Sequence, residues 1–202
     1  MSSRIYNILN NPTVYQLAQR IVGAGAETNV SRELGQTLDR LPDGAPLLDV
    51  GCGPKSWLWK VGLQPIGIDI QDSYVEAYRE AGGEAHLGSA DNLPFEANSF
   101  HGVWSIGVFH HLPDQIVQGA IAEALRVCKT GGYVAVFDAV LPKNVMTRPL
   151  AYGLRKADRG EFMRKQEHLI SLFPEKAKWQ IDRFTYAYTG LEMLSIVAVK
   201  DA

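Results

Sequence analysis

The chain has 202 residues, of which 46% are hydrophobic and 21% charged, and its formal net charge is −2. This suits one globular α/β domain with a sizeable core and leaves no length for a second full domain. A balance so close to neutrality gives bulk electrostatics no hold on nucleic acid or acidic partners, so any basic patch must be local. Residues 1–42 carry helical spacing in two pieces, Tyr6, Leu9, Tyr15, Leu17 and Ile21, then Leu34, Leu38 and Leu41, parted by Gly23 and Gly25. They predict a helical cap, either packed on the main domain or closed over a ligand.

From 45 to 140 strand and helix patterns alternate. Strands are predicted at 47–50, 65–70, 84–88, 102–107 and 133–138, with helices at 56–61, 74–81 and 115–128. In the last helix Val117, Ala120, Ile121, Ala124, Leu125 and Cys128 share one face, as a helix covering a sheet requires. Gly131-Gly132 is expected to end it and admit the next strand. Residues 141–176 read as a largely helical insertion. Residues 177–202 read as a closing hairpin, from runs at 179–188 and 191–199 around Thr189-Gly190. The expected fold is therefore α/β: a doubly wound, mostly parallel seven-stranded sheet with a reversed last strand, an N-terminal helical cap and a helical insertion after strand five.

Cys52 and Cys128 lie in apolar surroundings without metal-ligand spacing, which predicts buried thiols in a reducing compartment and no metal site. With neither a signal-like start nor an apolar run long enough to span a bilayer, the chain is expected to be soluble and cytoplasmic.

Two strand ends carry the chemistry. The run Leu47-Leu48-Asp49-Val50-Gly51-Cys52-Gly53 reads as a buried strand turning into a loop whose backbone can approach a ligand. A second run, Ile66-Gly67-Ile68-Asp69, ends in a carboxylate suited to a ribose diol. Together they predict a nucleoside cofactor pocket. A dinucleotide loop would want a third glycine where this chain has Ser56, after Pro54 and Lys55, which counts against pyrophosphate.

With Gly88-Ser89-Ala90-Asp91-Asn92-Leu93-Pro94-Phe95, Gly107-Val108-Phe109-His110-His111-Leu112-Pro113-Asp114 and Leu125-Arg126-Val127-Cys128-Lys129-Thr130-Gly131-Gly132, these segments resemble the class I S-adenosylmethionine-dependent methyltransferases, in their small-molecule, methyltransferase domain 11-like branch. The resemblance runs from about residue 45 to 140. It implies S-adenosylmethionine as cofactor. Gly51 and Gly53 would pass close to its methionine part and Asp49 would help hold the amino group. Asp69 would take the ribose hydroxyls, Asp91 would accept from the adenine amino group, and Asn92, Ile70 and Leu93 would wall the ring. Ser105 and Ile106 would border the methyl donor.

Methyl transfer is an in-line displacement, so the protein must chiefly align the acceptor and exclude water. A base is needed when the acceptor must lose a proton. His110 and His111, at the carboxyl edge of the sheet, are the catalytic candidates; the alternative is that the pair packs and caps the following helix. Asp138 ends strand five at the same edge. Tyr152, Arg155, Asp158, Glu161 and His168 lie in the insertion, where charges usually meet only water.

Between 143 and 165, Lys143, Arg148, Arg155, Lys156, Arg159, Arg164 and Lys165 oppose only Asp158 and Glu161. Interspersed with Val145, Met146, Leu150, Tyr152, Leu154, Phe162 and Met163, they form either a soluble lid or a basic amphipathic surface able to meet a membrane; the lid is preferred.

The expected function is methyl transfer to a small-molecule acceptor at oxygen or nitrogen. The alternatives are a lipid-linked or macromolecular acceptor, or a non-catalytic cofactor-binding subunit. Methylation of an exocyclic amine in RNA often uses Asn or Asp, then Pro-Pro and an aromatic, after strand four. Here Ser105-Ile106-Gly107-Val108 stands instead, so no nucleic-acid partner is expected.

Overall fold

The computed structural model describes residues 30–32, 34–35, 41–157, 161–186 and 190–201. Most of the expected cap, including Tyr6 and Tyr15, lies outside them, as do Asp158 and Arg159 of the insertion. Val30 and Leu34, in short helical pieces, are buried against the sheet.

Seven strands form one sheet: β1 Leu47–Val50, β2 Ile66–Asp69, β3 Ala85–Leu87, β4 Phe100–Ile106, β5 Cys128–Val140, β6 Gln180–Thr185 and β7 Glu192–Val199. Their order is β3-β2-β1-β4-β5-β7-β6, with β7 antiparallel to both of its neighbours and the remaining pairs parallel. The reversed strand is thus where the sequence places it. β1 is buried along its whole length, which is why it reads as an unbroken apolar run rather than an alternation.

Helices α1 (Asp72–Glu80) and α2 (Asp114–Val127) cover the parallel half, and α3 (Pro149–Ala157) and α4 (Gln166–Ser171) make the insertion. α2 buries Val117, Ala120, Ile121, Ala124 and Val127. Alternate residues of β5 serve opposite layers, as the period of two in a strand dictates. Ala135, Phe137 and Ala139 pack with Trp104, Leu58 and Leu34, while Val136 and Val140 pack with α2, Leu169 and Phe173.

Three local readings differ from the sequence pattern. Residues 56–61 form only a 3-10 turn, Leu58–Val61, because the Ser56 hydroxyl accepts the Leu58 N–H at 3.1 Å and holds the preceding residues in a loop. Gly131-Gly132 does not separate α2 from β5. β5 begins at Cys128, and the two glycines lie in a register shift opposite Phe100–Gly102. A Cβ on Gly132 would stand 2.7 Å from the His101 carbonyl, so the irregularity needs glycine. Of the run expected at 179–188, residues 179–186 are described, and among them the strand is Gln180–Thr185, with Tyr186 N still donating to Leu191 O at 2.9 Å.

Candidate active site

The sheet reverses its winding between β1 and β4, and ligands of doubly wound sheets bind at the carboxyl ends of the strands flanking such a point. A cavity of about 240 Å³ opens there, walled by the loop after β1, the ends of β2 and β3, and the turn after β4.

Gly51 has φ +72°, and a Cβ on it would lie 2.4 Å from Val108 Cγ2. The loop therefore takes its path only without a side chain at this position, which leaves its backbone on the cavity wall. Gly53 N donates to Asp69 Oδ2 at 2.9 Å and Gln71 N to Oδ1 at 2.9 Å. Each carboxylate oxygen keeps acceptor capacity for a hydroxyl, as a ribose diol demands. Burial raises the Asp69 carboxyl above its ordinary range, and the amides of Gln71, Gly53 and Ile70 partly offset this. The glycine cradle and the doubly anchored acid fit an adenosyl cofactor.

Of the residues expected at the cofactor, Gly51, Gly53, Asp69 and Ile70 line the cavity together, with Ile70 69% exposed toward it. Asp49 stands behind the loop. It is 3% exposed, it accepts the Ser56 hydroxyl at 2.5 Å, and burial pushes its carboxyl up to about 7, with Ser56 opposing and Asp69 reinforcing the shift. On the loop after β3 the cavity wall is made by Ser89 and Ala90. Asp91 is half-buried beside them and accepts from the Ser89 hydroxyl, while Asn92 is exposed.

Ser105 and Ile106 do not reach the cavity. Ser105 faces a small internal void between the sheet and α2, its hydroxyl without a hydrogen-bond partner, and Ile106 packs in the opposite layer with Leu47 and Trp104. The period of two explains this, since both point along the sheet normal while the strand's end, Gly107, turns onto the wall. Gly107, Val108, Gln71 and Tyr74 are wall residues that sequence reasoning did not single out; the glycine ending an apolar run was the available signal.

The two histidines part company. They occupy a 3-10 turn, Phe109–His111, with rings 4.0 Å apart between centroids. His111 lines the cavity, whereas His110 is buried on Asp138. His110 Nδ1 lies 2.5 Å from Asp138 Oδ1, and His110 N donates to Oδ2 at 3.0 Å. Ala139 N also donates to Oδ1, at 2.6 Å. Burial works to raise the Asp138 carboxyl, but the His110 ring and the Ala139 amide outweigh it and hold it below the ordinary carboxylate range. Neither histidine caps α2, whose N-cap is Pro113. Gly107 lies on the cavity wall, and a Cβ on it would stand 4.0 Å from His110 Cε1, at ordinary contact distance from the ring.

The insertion's cations do not form one outward face. Arg148 pairs with Glu192 at 3.4 Å, Arg155 is buried and donates to Glu192 O at 3.1 Å, and Arg164 is buried on Asp114. Glu161 is exposed, His168 pairs with Asp114 at 2.8 Å, and Lys156 lies over the Tyr152 ring. Among the described residues no helix is long and apolar enough to cross a membrane, and no cluster of three or more His, Cys, Asp or Glu is placed to hold a metal. Both cysteines are buried and free.

The chain shares a seven-stranded sheet of this order, a glycine loop after β1 and an acid closing β2 with the class I S-adenosylmethionine-dependent methyltransferases, and S-adenosylmethionine is the cofactor. Residues 48–136 match the family described as methyltransferase domain. It is 36% identical over 104 residues, 49% of this chain, to a tRNA (carboxymethyluridine(34)-5-O)-methyltransferase of Arabidopsis thaliana, of which it spans only a quarter. The fold is similar to that of a methyltransferase solved in complex with the Haloferax volcanii Trm112 methyltransferase activator, with TM-score 0.71, 14% identity and 98% of both chains covered. It is also similar to geranyl diphosphate C-methyltransferase of Streptomyces coelicolor, solved with S-adenosyl-L-homocysteine, with TM-score 0.66, 12% identity and 86% and 80% of the two chains covered.

Proposed function

We propose that the protein transfers a methyl group to a hydroxyl of a small-molecule acceptor, with His110, oriented by Asp138, as the base. The observation that carries this reading is the 2.5 Å contact between His110 Nδ1 and a buried carboxylate held ionised. A carboxylate so placed keeps the proton on Nδ1, leaves Nε2 as the acceptor and stabilises the imidazolium that forms.

When bound, S-adenosylmethionine supplies an electrophilic methyl group on a sulfonium. The backbone of Gly51 and Gly53 and the carboxylate of Asp69 would hold the adenosyl and methionine parts, while Ser89, Ala90 and Ile70 would flank the adenine, with Asp91 beside them as its acceptor. His110 Nε2 would receive the proton that the acceptor hydroxyl gives up, and the bound cofactor would supply the methyl group that completes a methyl ether. His111 and Val108 form the apolar and aromatic wall that keeps water from the reacting atoms. The test is incubation of the protein and methyl-labelled S-adenosylmethionine with a panel of phenols, sugars and hydroxylated lipids, reading label in the acceptor. Transfer confined to amines or carbon would overturn the hydroxyl assignment.

A second reading rests on the likeness to the Arabidopsis tRNA enzyme, which withdraws the ground for excluding nucleic acid. In it the acceptor is a modified nucleoside in RNA. Transfer to tRNA, and to no member of the small-molecule panel, would favour it. Either acceptor is compatible with a cytoplasmic location, which cell fractionation would test.

A further inference from the structure

Arg164 lies in the insertion, far along the chain from the histidines, and the cofactor site makes no use of it. Its backbone is tied to the end of β5: Leu141 N donates to Arg164 O at 2.9 Å, and Arg164 bridges Val140 in parallel. Its guanidinium is buried and spends its donors on the turn that bears His110 and His111. Nη1 donates to Phe109 O at 2.8 Å, Nη2 to Leu112 O at 2.5 Å, and Nε to Asp114 Oδ1 at 2.8 Å. Two residues earlier, Phe162 N donates to His110 O at 3.1 Å. The carbonyls on both sides of the histidine pair, and that of His110 itself, are thus held by residues 162 and 164. A guanidinium can do this because it offers a rigid fork of five donors, whereas a lysine ammonium offers one compact point charge.

The same strand end carries Asp138, so β5 grips the histidine turn twice, through a carboxylate on the His110 ring and, by way of Arg164, through the carbonyls that flank it. We propose that Arg164 is a positioning residue that fixes His110 on Asp138, so that the seating of the insertion sets the geometry of the base. This rests on the reading of His110 as base. Groups that face the turn are His111, Asp138, Arg164, Asp114 and, through Asp114, His168.

The test is the ring titration of His110, followed by NMR in full-length protein with isotope-labelled histidine, for wild type, Arg164→Met, Arg164→Lys, His168→Ala and Asp138→Asn. Arg164→Met is expected to move the His110 midpoint by about 1 pH unit toward that of Asp138→Asn, a tenfold change in its protonation equilibrium. Arg164→Lys should move it part of the way, and it supplies the readout if the Met variant does not fold. His168→Ala, which leaves the carbonyl contacts in place, should not move it. Affinity for S-adenosylmethionine should stay within about threefold throughout, since no cavity wall residue changes. An unmoved midpoint in Arg164→Met and Arg164→Lys overturns the proposal, as does an equal shift in His168→Ala, which would trace the effect to the charge on Asp114. Turnover is not the readout. If His110→Gln retains full activity the base reading fails, whatever the titration shows.

Discussion

His110 and Asp138 meet twice, through the ring nitrogen at 2.5 Å and through the backbone N–H at 3.0 Å, so one carboxylate fixes both the side chain and the turn that carries it. Replacing Asp138 by Asn is therefore expected to damage catalysis without touching the donor. With an acceptor from the panel, His110→Gln should lower turnover by about 100-fold or more, and Asp138→Asn should reproduce most of that loss. Calorimetry should find cofactor affinity within about threefold of wild type in both. Equal loss of cofactor binding would make the pair part of the donor site.

Asp69 and His111 both line the cavity yet should behave differently. Asp69→Ala removes the acceptor proposed for the ribose and should weaken S-adenosylmethionine binding by about 10- to 100-fold, the loss typical of hydrogen bonds to a charged group. His111→Ala should cost less than about fivefold in the same titration. A larger effect at His111 than at Asp69 would place the adenosyl group elsewhere.

Gly51→Ala forces a side chain into φ +72° and against Val108 Cγ2, 2.4 Å away. The expected cost is about 1–3 kcal/mol in chemical denaturation, together with loss of cofactor binding. Val108→Ala added to it should recover the packing part and not the backbone part. A single variant as stable as wild type would mean that the loop path is not fixed by this contact.

Asp49 sets a dependence of stability on pH. Its folded carboxyl, raised to about 7 chiefly by burial, lies above the unfolded value near 3.8. Between those values the folded state binds the extra proton, so the apo protein should lose stability as pH rises from about 4 to 7 and level off above. Asp69 shifts in the same direction and Asp138 in the opposite one. Thermal melts of apo Asp49→Asn should be flatter across this window than wild type and higher at pH 8. A wild-type curve that rises through the window would refute the assignment.

The cofactor half of the fold is legible because each of its requirements is local. An apolar run must end in glycine for the loop to turn toward Val108, and Asp69 must close β2 for its oxygens to meet Gly53 N and Gln71 N. The acceptor half depends on pairings between distant parts of the chain. Arg164 looks like one more cation in a basic stretch until the fold carries it to the carbonyls of Phe109 and Leu112, more than fifty residues earlier. Ser105 and Ile106 illustrate the other limit. Their sequence places them at the right strand end, but which face each side chain takes depends on register, and both face away from the cavity.

Ser56 stands where a dinucleotide loop would have its third glycine, and its hydroxyl answers the buried Asp49 at 2.5 Å while accepting the Leu58 amide. Choice of cofactor at this loop is consequently not a matter of room alone. Trimming Ser56 to glycine would leave the buried Asp49 carboxyl without its hydroxyl partner. What lies beneath the loop thus helps to set its path, and a change at Ser56 would call for a matching change at Asp49.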